Sequence, residues 1–270
     1  MGISFENLEE LIELINHVHG FDLRGYTRAS LKRRVAHIME LYRLDFNNLK
    51  DNLVNTSGFF NRFLTEVTVN VTELFRDPAF YAALREEVFP YLATFPHIKL
   101  WSAGCSSGEE AYSLAILLKK QGLYERSFIY GTDINSKVLE RAKQGIIDLR
   151  KMKEYSDNYL QTESGESLSE YYTVRYDAAI MHHELRKNIL FSIHNLVSDG
   201  VFNEFQLITC RNVLIYFDLT LQQRVLKLLY ESLAMFGFLC LGTKESLRSE
   251  QLKHKFRLIN KKQNIYQKIA

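Results

Sequence analysis

The residues best placed to do chemistry lie in four short polar stretches, each directly after an apolar run. The first, after Lys99-Leu100-Trp101, is Ser-Ala-Gly-Cys-Ser-Ser-Gly-Glu-Glu, residues 102–110. Gly104 and Gly108 allow a tight turn and close backbone approach to a ligand. The turn lacks both the Lys-Ser/Thr of a phosphate-binding loop and the third glycine of a dinucleotide fingerprint. It offers instead Glu109 and Glu110 at a helix start. Carboxylates are poor hosts for pyrophosphate and good ones for an ammonium group, although they would equally complement a helix dipole. Asp133 closes the second run, SFIYGTD. It can accept two ribose hydroxyls or cap the helix that begins near Ser136. The third and fourth stretches are Asn195-Leu196, after ILFSIH, and Cys210-Arg211-Asn212, after FQLIT. An amide there can bond an adenine edge or an amino-acid moiety and Leu196 can cover an adenine face, while asparagine also simply suits turns. Gly104, Gly108 and Asp133 together favour an adenosine ligand without a phosphate chain. S-adenosylmethionine, with its ribose, ammonium and sulfonium, fits that description.

Such stretches act together only if a sheet brings them to one edge. In open α/β sheets ligands lie beyond the carboxyl ends of the strands. After Pro96 the pattern alternates: IKLWSA, a helix over Gly108–Lys120, SFIYGTD, and a helix over Ser136–Gly145, which predicts βαβ units and a parallel sheet. Residues Asp148–Ser169 read as polar and irregular, YYTVRYD as a strand, and Ala179–Lys187 as a short helix. The alternation resumes with NILFSI, FQLITC, a helix from Asp218 or Leu219 to Phe236, and GFLCLG. FRLIN and NIYQKI, joined around Lys261–Gln263, predict an antiparallel hairpin at the sheet edge.

Before this lies an all-α region reaching about Asn70. Leu8, Leu11, Ile12 and Ile15 recur at helical spacing, as do Leu31, Val35, Ile38, Met39 and Tyr42. Short helices are expected over Asn47–Val54 and Ser57–Val67. A connecting helix should start with Asp77 as cap and Pro78 in the first turn, lining one face with Phe80, Leu84, Val88 and Tyr91. The expected division is an all-α domain at 1–70, a linker and connecting helix at 71–96, and a cofactor-binding domain at 97–270 with a small β excursion around 168–190.

The whole chain sets the outer bounds. Its 270 residues, 46% hydrophobic, suit about two ordered domains. A net charge of +2 is too small for a general nucleic-acid binder. No run of about eighteen apolar residues predicts membrane insertion. Cys105, Cys210 and Cys240 are unpaired in spacing, offer no zinc or redox pattern, and suit a reducing cytoplasm; no metal is expected.

Six ordered stretches, NVTELFRD, LWSAGCSSGEEAYSLA, GTDINSKVLERAKQGI, FSIHNL, ITCRNVLIYFD and GFLCLGTKESL, resemble the chemotaxis receptor methyltransferases of the CheR type, which are protein-glutamate O-methyltransferases. The resemblance covers nearly the full length. It implies a Rossmann-like S-adenosylmethionine-dependent sheet with an all-α N-terminal domain and a small antiparallel β subdomain. It further implies that Asn70, Thr72 and Arg76 contact the cofactor, that Glu110 holds its ammonium and Asp133 its ribose, and that Asn195, Leu196, Arg211 and Asn212 complete the pocket with the Gly104 turn. Arg76 and Tyr216 match the positions nearest the methyl transfer; their plainer alternatives are an ion pair with Asp77 and a core aromatic. A basic helix with Arg28, Lys32, Arg33 and Arg34, flanked by Arg24 and Arg43 and opposed nearby only by Glu40, would meet the acidic methylation helices of a receptor, or else is a solvated face. The implied reaction is an in-line attack of a glutamate carboxylate on the sulfonium methyl. A carboxylate with an ordinary pKa of ~4.3 needs no strong general base. A cytoplasmic, monomeric enzyme is expected.

Two departures stand out. The family's Gly-His-Ser-Glu is here Gly242-Thr243-Lys244-Glu245, so roles of that His or Ser do not transfer. Tyr171–Asn188 lacks the glycine-rich loop of members that grip a receptor's C-terminal pentapeptide. Two rival readings are a methyltransferase for a small molecule or nucleic acid, and a non-catalytic module that senses S-adenosylmethionine on a signalling array.

Overall fold

In the computed structural model, which describes residues 2–68, 71–162, 165 and 167–270, the chain begins with four helices: α1 (Phe5–His19), α2 (Arg28–Leu41), α3 (Phe46–Asn55) and α4 (Phe59–Val67). Ser4 and Asp45 cap α1 and α3 through side-chain oxygens, and Gly20 ends α1 in the left-handed region. The expected apolar stripes, Leu8, Leu11, Ile12 and Ile15 with Leu31, Val35, Ile38 and Met39, meet in one core of their own.

The connecting helix departs from expectation. Asp77 sits at φ 58° with no capping bond, because its carboxylate is taken by Arg211. α5 (Pro78–Ala83) runs through a π turn at Leu84–Val88 into α6 (Phe89–Leu92). That extra residue per turn, with Pro90 following, rotates the inner face: Phe89 and Leu92 are buried and Tyr91 is exposed.

The remainder builds two sheets. β1 (Ile98–Ala103), α7 (Glu109–Lys120), β2 (Ser127–Asp133) and α8 (Ser136–Gln144) form the first βαβ unit. β3 (Ile146–Asp148), α9 (Met152–Leu160), β4 (Tyr172–Arg175), β5 (Ala178–Met181) and α10 (His183–Arg186) form the excursion, before β6 (Ile189–Ile193), β7 (Phe205–Cys210), α11 (Leu219–Glu231), β8 (Leu233–Leu241), α12 (Glu250–Lys253), β9 (Phe256–Asn260) and β10 (Ile265–Lys268). The large sheet has the order β6-β2-β1-β7-β8-β10-β9 and the small antiparallel one β3-β5-β4. β6, β2, β1, β7 and β8 are parallel and β10 and β9 antiparallel, so the expected edge hairpin is present. The fold is an open α/β sheet, parallel through its first five strands, with a small antiparallel sheet as a separate excursion.

Three expectations, two in the excursion and one at the end of α11, fail for identifiable reasons. The stretch expected to be irregular contains α9, whose Met152, Tyr155 and Tyr159 are buried. Three apolar anchors suffice when the remaining residues are solvent-facing and polar. Ala178–Met181 is a strand, not part of a helix, because it pairs with both β3 and β4; only His183–Arg186 is helical. The helix expected to reach Phe236 ends at Glu231, and β8 starts at Leu233. A bulge there puts Phe236 at φ 63° and leaves Met235 and Phe236 exposed.

Candidate functional site

The strand order reverses direction between β1 and β7, the switch point at which a parallel sheet opens a crevice. A cleft lies there, bordered by Gly104 after β1, Asp133 after β2, Asn195 and Leu196 after β6, and Arg211 and Asn212 after β7. Thr72, Arg76, Glu110, Arg34 and Tyr216 border the same cleft. Asn70 lies outside the described residues.

The turn after β1 hangs on β2. Gly104 and Cys105 N–H groups both donate to the Thr132 carbonyl at 2.8 Å, and Trp101 Nε1 donates to Thr132 Oγ1 at 2.8 Å. Gly104 has φ 75°, and a Cβ there would stand 2.5 Å from Val213 Cγ2, so this turn and the one after β7 touch only because position 104 is glycine. Asp133 Oδ2 accepts from Ser106 N–H and Oδ1 from Asn135 N–H, each at 2.9 Å. The cap of α8 is Asn135, which leaves Asp133 for the cleft. Burial raises the Asp133 pKa despite those two donors.

The two glutamates at the start of α7 separate. Glu109 is buried and takes the Ser107 hydroxyl, whereas Glu110 faces the cleft. Its Oε1 accepts from Ser102 Oγ at 2.8 Å and Thr209 Oγ1 at 2.6 Å, and its Oε2 lies 3.4 Å from Arg211 Nη1. Arg211 is a buried strut. Its Nη2 bonds Asp77 at 2.7 Å, and its guanidinium covers the Phe80 ring at 3.9 Å. A carboxylate held by three neighbours is aimed in advance and still carries a negative charge toward a cationic ligand.

The elements outside the sheet set the mouth. Thr27 N–H donates to the Tyr216 carbonyl at 2.9 Å, and Tyr26 and Phe217 form a bridge, so the loop before α2 clamps the Tyr216 turn. α9 holds the linker: Tyr155 Oη donates to the Thr72 carbonyl at 3.2 Å and Asn158 Nδ2 to the Leu74 carbonyl at 3.3 Å. Among the described residues Arg76 pairs with no carboxylate; its Nη1 lies 3.4 Å from the Val71 carbonyl, and Asp77 belongs to Arg211. Tyr216 is half-buried, which raises its pKa, while Arg34 and Arg76 act on it in the opposite direction. Its hydroxyl therefore stays protonated, a donor, at neutral pH.

The basic helix is less uniform than its sequence. Arg24 pairs with Asp22, and Arg28 pairs with Glu9, so Glu40 is not the one opposing charge. Lys32 Nζ rests 4.1 Å from the centre of the Phe5 ring. Of the four expected substrate cations, Arg34 borders the cleft and Arg33 is exposed beside it. Thr243 and Lys244 are exposed and stand outside the cleft lining, while Glu245 is buried.

The donor set fits an adenosyl amino acid. Three carboxylates, Glu73, Glu110 and Asp133, and the apolar Ile134, Leu196 and Val197 line one crevice, and the Ser106 hydroxyl and His194 Nδ1 are buried there without a partner among the described residues. Fold and site define the class, an S-adenosylmethionine-dependent methyltransferase. The sequence profile of a family described as CheR methyltransferase, SAM binding domain, matches residues 70–265. Cher3 of Pseudomonas putida, named as a putative methyltransferase, is 46% identical over 96% of this chain and 95% of its own. Chemotaxis protein methyltransferases of Listeria monocytogenes and Salmonella typhimurium are 32% and 28% identical, over 84% and 91% of this chain and 85% of each of theirs. The chain belongs to the CheR methyltransferase family. Among its described residues no helix is long and apolar enough to cross a membrane.

Proposed function

We propose that this enzyme methylates glutamate side chains on the cytoplasmic helices of methyl-accepting chemotaxis receptors, giving glutamyl methyl esters and S-adenosylhomocysteine. The observation that carries the reading is the convergence of Arg34, Arg76 and the Tyr216 hydroxyl on the cleft that also holds Glu110 and Asp133. Cationic and neutral donors gather where an incoming carboxylate would need them, and carboxylates gather where a cationic cofactor would.

In this reading Glu110 takes the cofactor's ammonium and Asp133 its ribose hydroxyls, with Gly104, Asn195, Leu196, Arg211, Asn212 and Thr72 completing the pocket. When bound, the cofactor supplies a methyl group activated by its positive sulfur. Arg76 and Tyr216 orient the substrate carboxylate, which is already ionised at neutral pH. Donors that gripped it too strongly would blunt its nucleophilicity. Alignment is the main source of rate, with effective molarities of order 10⁵ M or more in favourable cases. The helices of residues 1–70 act as the receptor-facing unit, through Arg33 and Arg34 above all.

The test is transfer of labelled methyl from S-adenosylmethionine to a receptor cytoplasmic fragment, recovered as a base-labile ester. Measurable cofactor binding without transfer to any cognate receptor would refute the assignment.

A further inference from the structure

The Tyr216 turn is held from behind by a carboxylate that the chemistry itself does not use. Leu214–Tyr216 is a single 3-10 turn, and the leading N–H groups of such a turn find no carbonyl within it. Glu245 supplies the acceptor. Asn212 N–H donates to its Oε2 at 2.9 Å and Ile215 N–H to its Oε1 at 3.3 Å. Gly242 N–H donates to Oε2 at 2.6 Å, so one carboxylate joins the end of β8 to the turn after β7. Glu245 is 7% exposed. Burial raises its pKa, against four backbone N–H groups that lower it.

The surroundings are shaped to this contact. A Cβ on Gly242 would lie 2.7 Å from Glu245 Oε2 and 2.9 Å from Asn212 N, so the chain needs glycine there for the two turns to close on each other. From the other side, Asn264 Nδ2 donates at 2.8 Å to the carbonyls of both Gly242 and Glu245. Asn212 itself has φ 62°, a conformation asparagine tolerates and the bond from its N–H to Glu245 secures. Thr243 and Lys244 are exposed and take no part.

We propose that Glu245 is a positioning residue for methyl transfer: its carboxylate fixes the turn Asn212–Tyr216, and through it the Tyr216 hydroxyl, from outside the cleft. The proposal rests on the role given to Tyr216 above. Of that tetrapeptide, the two residues that make this contact, Gly242 and Glu245, are the two this chain keeps.

Two variants test it on the full chain. Glu245→Gln keeps the shape but presents an NH₂ group to backbone N–H donors, and Gly242→Ala displaces the carboxylate with its charge intact. Both should speed amide hydrogen exchange at residues 212–216 by about tenfold or more. Both should lower kcat for methyl transfer by about tenfold or more while the cofactor Kd moves less. In the Glu245→Gln background, Tyr216→Phe should cost less than it does in the wild-type chain. Unchanged exchange at 212–216 overturns the proposal, as do fully additive losses from the two substitutions. Faster exchange combined with a fully active Tyr216→Phe supports the hold of Glu245 on the turn and overturns instead the reading of Tyr216. Replacing Thr243 and Lys244 by His and Ser should leave both exchange and turnover unchanged; a large gain in kcat would contradict the proposal.

Discussion

Arg211 Nη2 lies 2.7 Å from the carboxylate of Asp77, a bond that ties the end of β7 to the linker carrying Arg76. The same guanidinium reaches Glu110 with its other terminal nitrogen, and both terminal nitrogens also approach the Arg76 backbone carbonyl. The charge is nearly sealed, with the Arg211 side chain 2% exposed. One buried cation thus sets both the Glu110 carboxylate and the segment bearing Arg76.

Arg211→Met should therefore destabilise the chain as well as weaken the cofactor. Removing one member of a buried ionic cluster costs about 3–5 kcal/mol, reduced here to about 2–4 because Asp77 is partly solvated. Urea unfolding measures this directly. Arg211→Lys should recover little of it, since an ammonium cannot serve two carboxylates in forked geometry. An unchanged midpoint in either variant would contradict the argument.

Glu110→Gln separates aim from charge. The amide keeps the size and one acceptor for Ser102 and Thr209 but loses its attraction for an ammonium. A hydrogen bond to a charged group contributes about 1.5–3 kcal/mol, so the cofactor Kd should rise by about 10- to 100-fold. Calorimetric titration is the measurement, with circular dichroism confirming an intact fold.

Asp133 makes binding pH-dependent in a calculable direction. Burial lifts its pKa above the ordinary value of 3.8, so over that window the native state holds the proton more readily than the unfolded chain. Its contribution to stability is greatest at low pH and is lost as pH rises through the folded pKa. Ribose hydroxyls donating to the carboxylate favour the ionised form, so cofactor affinity should decline on acidification sooner than an ordinary aspartate would dictate. Asp133→Asn should weaken binding at neutral pH by about tenfold or more and flatten that part of the acid limb. A parallel pH profile in the two proteins would sink the ribose assignment.

The basic helix should prove functionally uneven. Arg34→Ala is expected to raise KM for a receptor fragment by about fivefold or more at low salt, with the cofactor Kd unaffected. Arg28 is engaged with Glu9, and Arg28→Ala should change KM by less than about twofold. Equal effects from the two, measured as a function of ionic strength, would mean that the helix acts as a diffuse charge and not through the residue at the cleft.

Much was legible in the sequence because the signals were local. Strand ends at Ala103, Asp133 and Cys210 followed from apolar runs broken by polar turns, and the all-α start from spacing of three and four. Gly104 was recognisable as a turn residue, but the contact that requires glycine there, Val213 at 2.5 Å from where a Cβ would stand, comes from the turn after β7. α9 escaped because Met152, Tyr155 and Tyr159 are scattered among polar residues, and β5 because its four residues become a strand only between two partners. The end of α11 escaped because the run from Leu233 onward continues apolar, and the change to β8 is set by pairing with β7.

By itself the sequence determined the alternation of strand and helix that gathers its polar turns at one edge of the sheet. What only the tertiary structure decided was who holds whom. It divided Glu109 from Glu110, gave Asp77 to Arg211 instead of the helix it precedes, and placed Glu245 behind the Tyr216 turn. The bond between Asp77 and Arg211 joins residues 134 positions apart in the chain. No local propensity encodes such a pairing; it arises when a sheet brings the ends of distant strands together and excludes the water that would otherwise satisfy them.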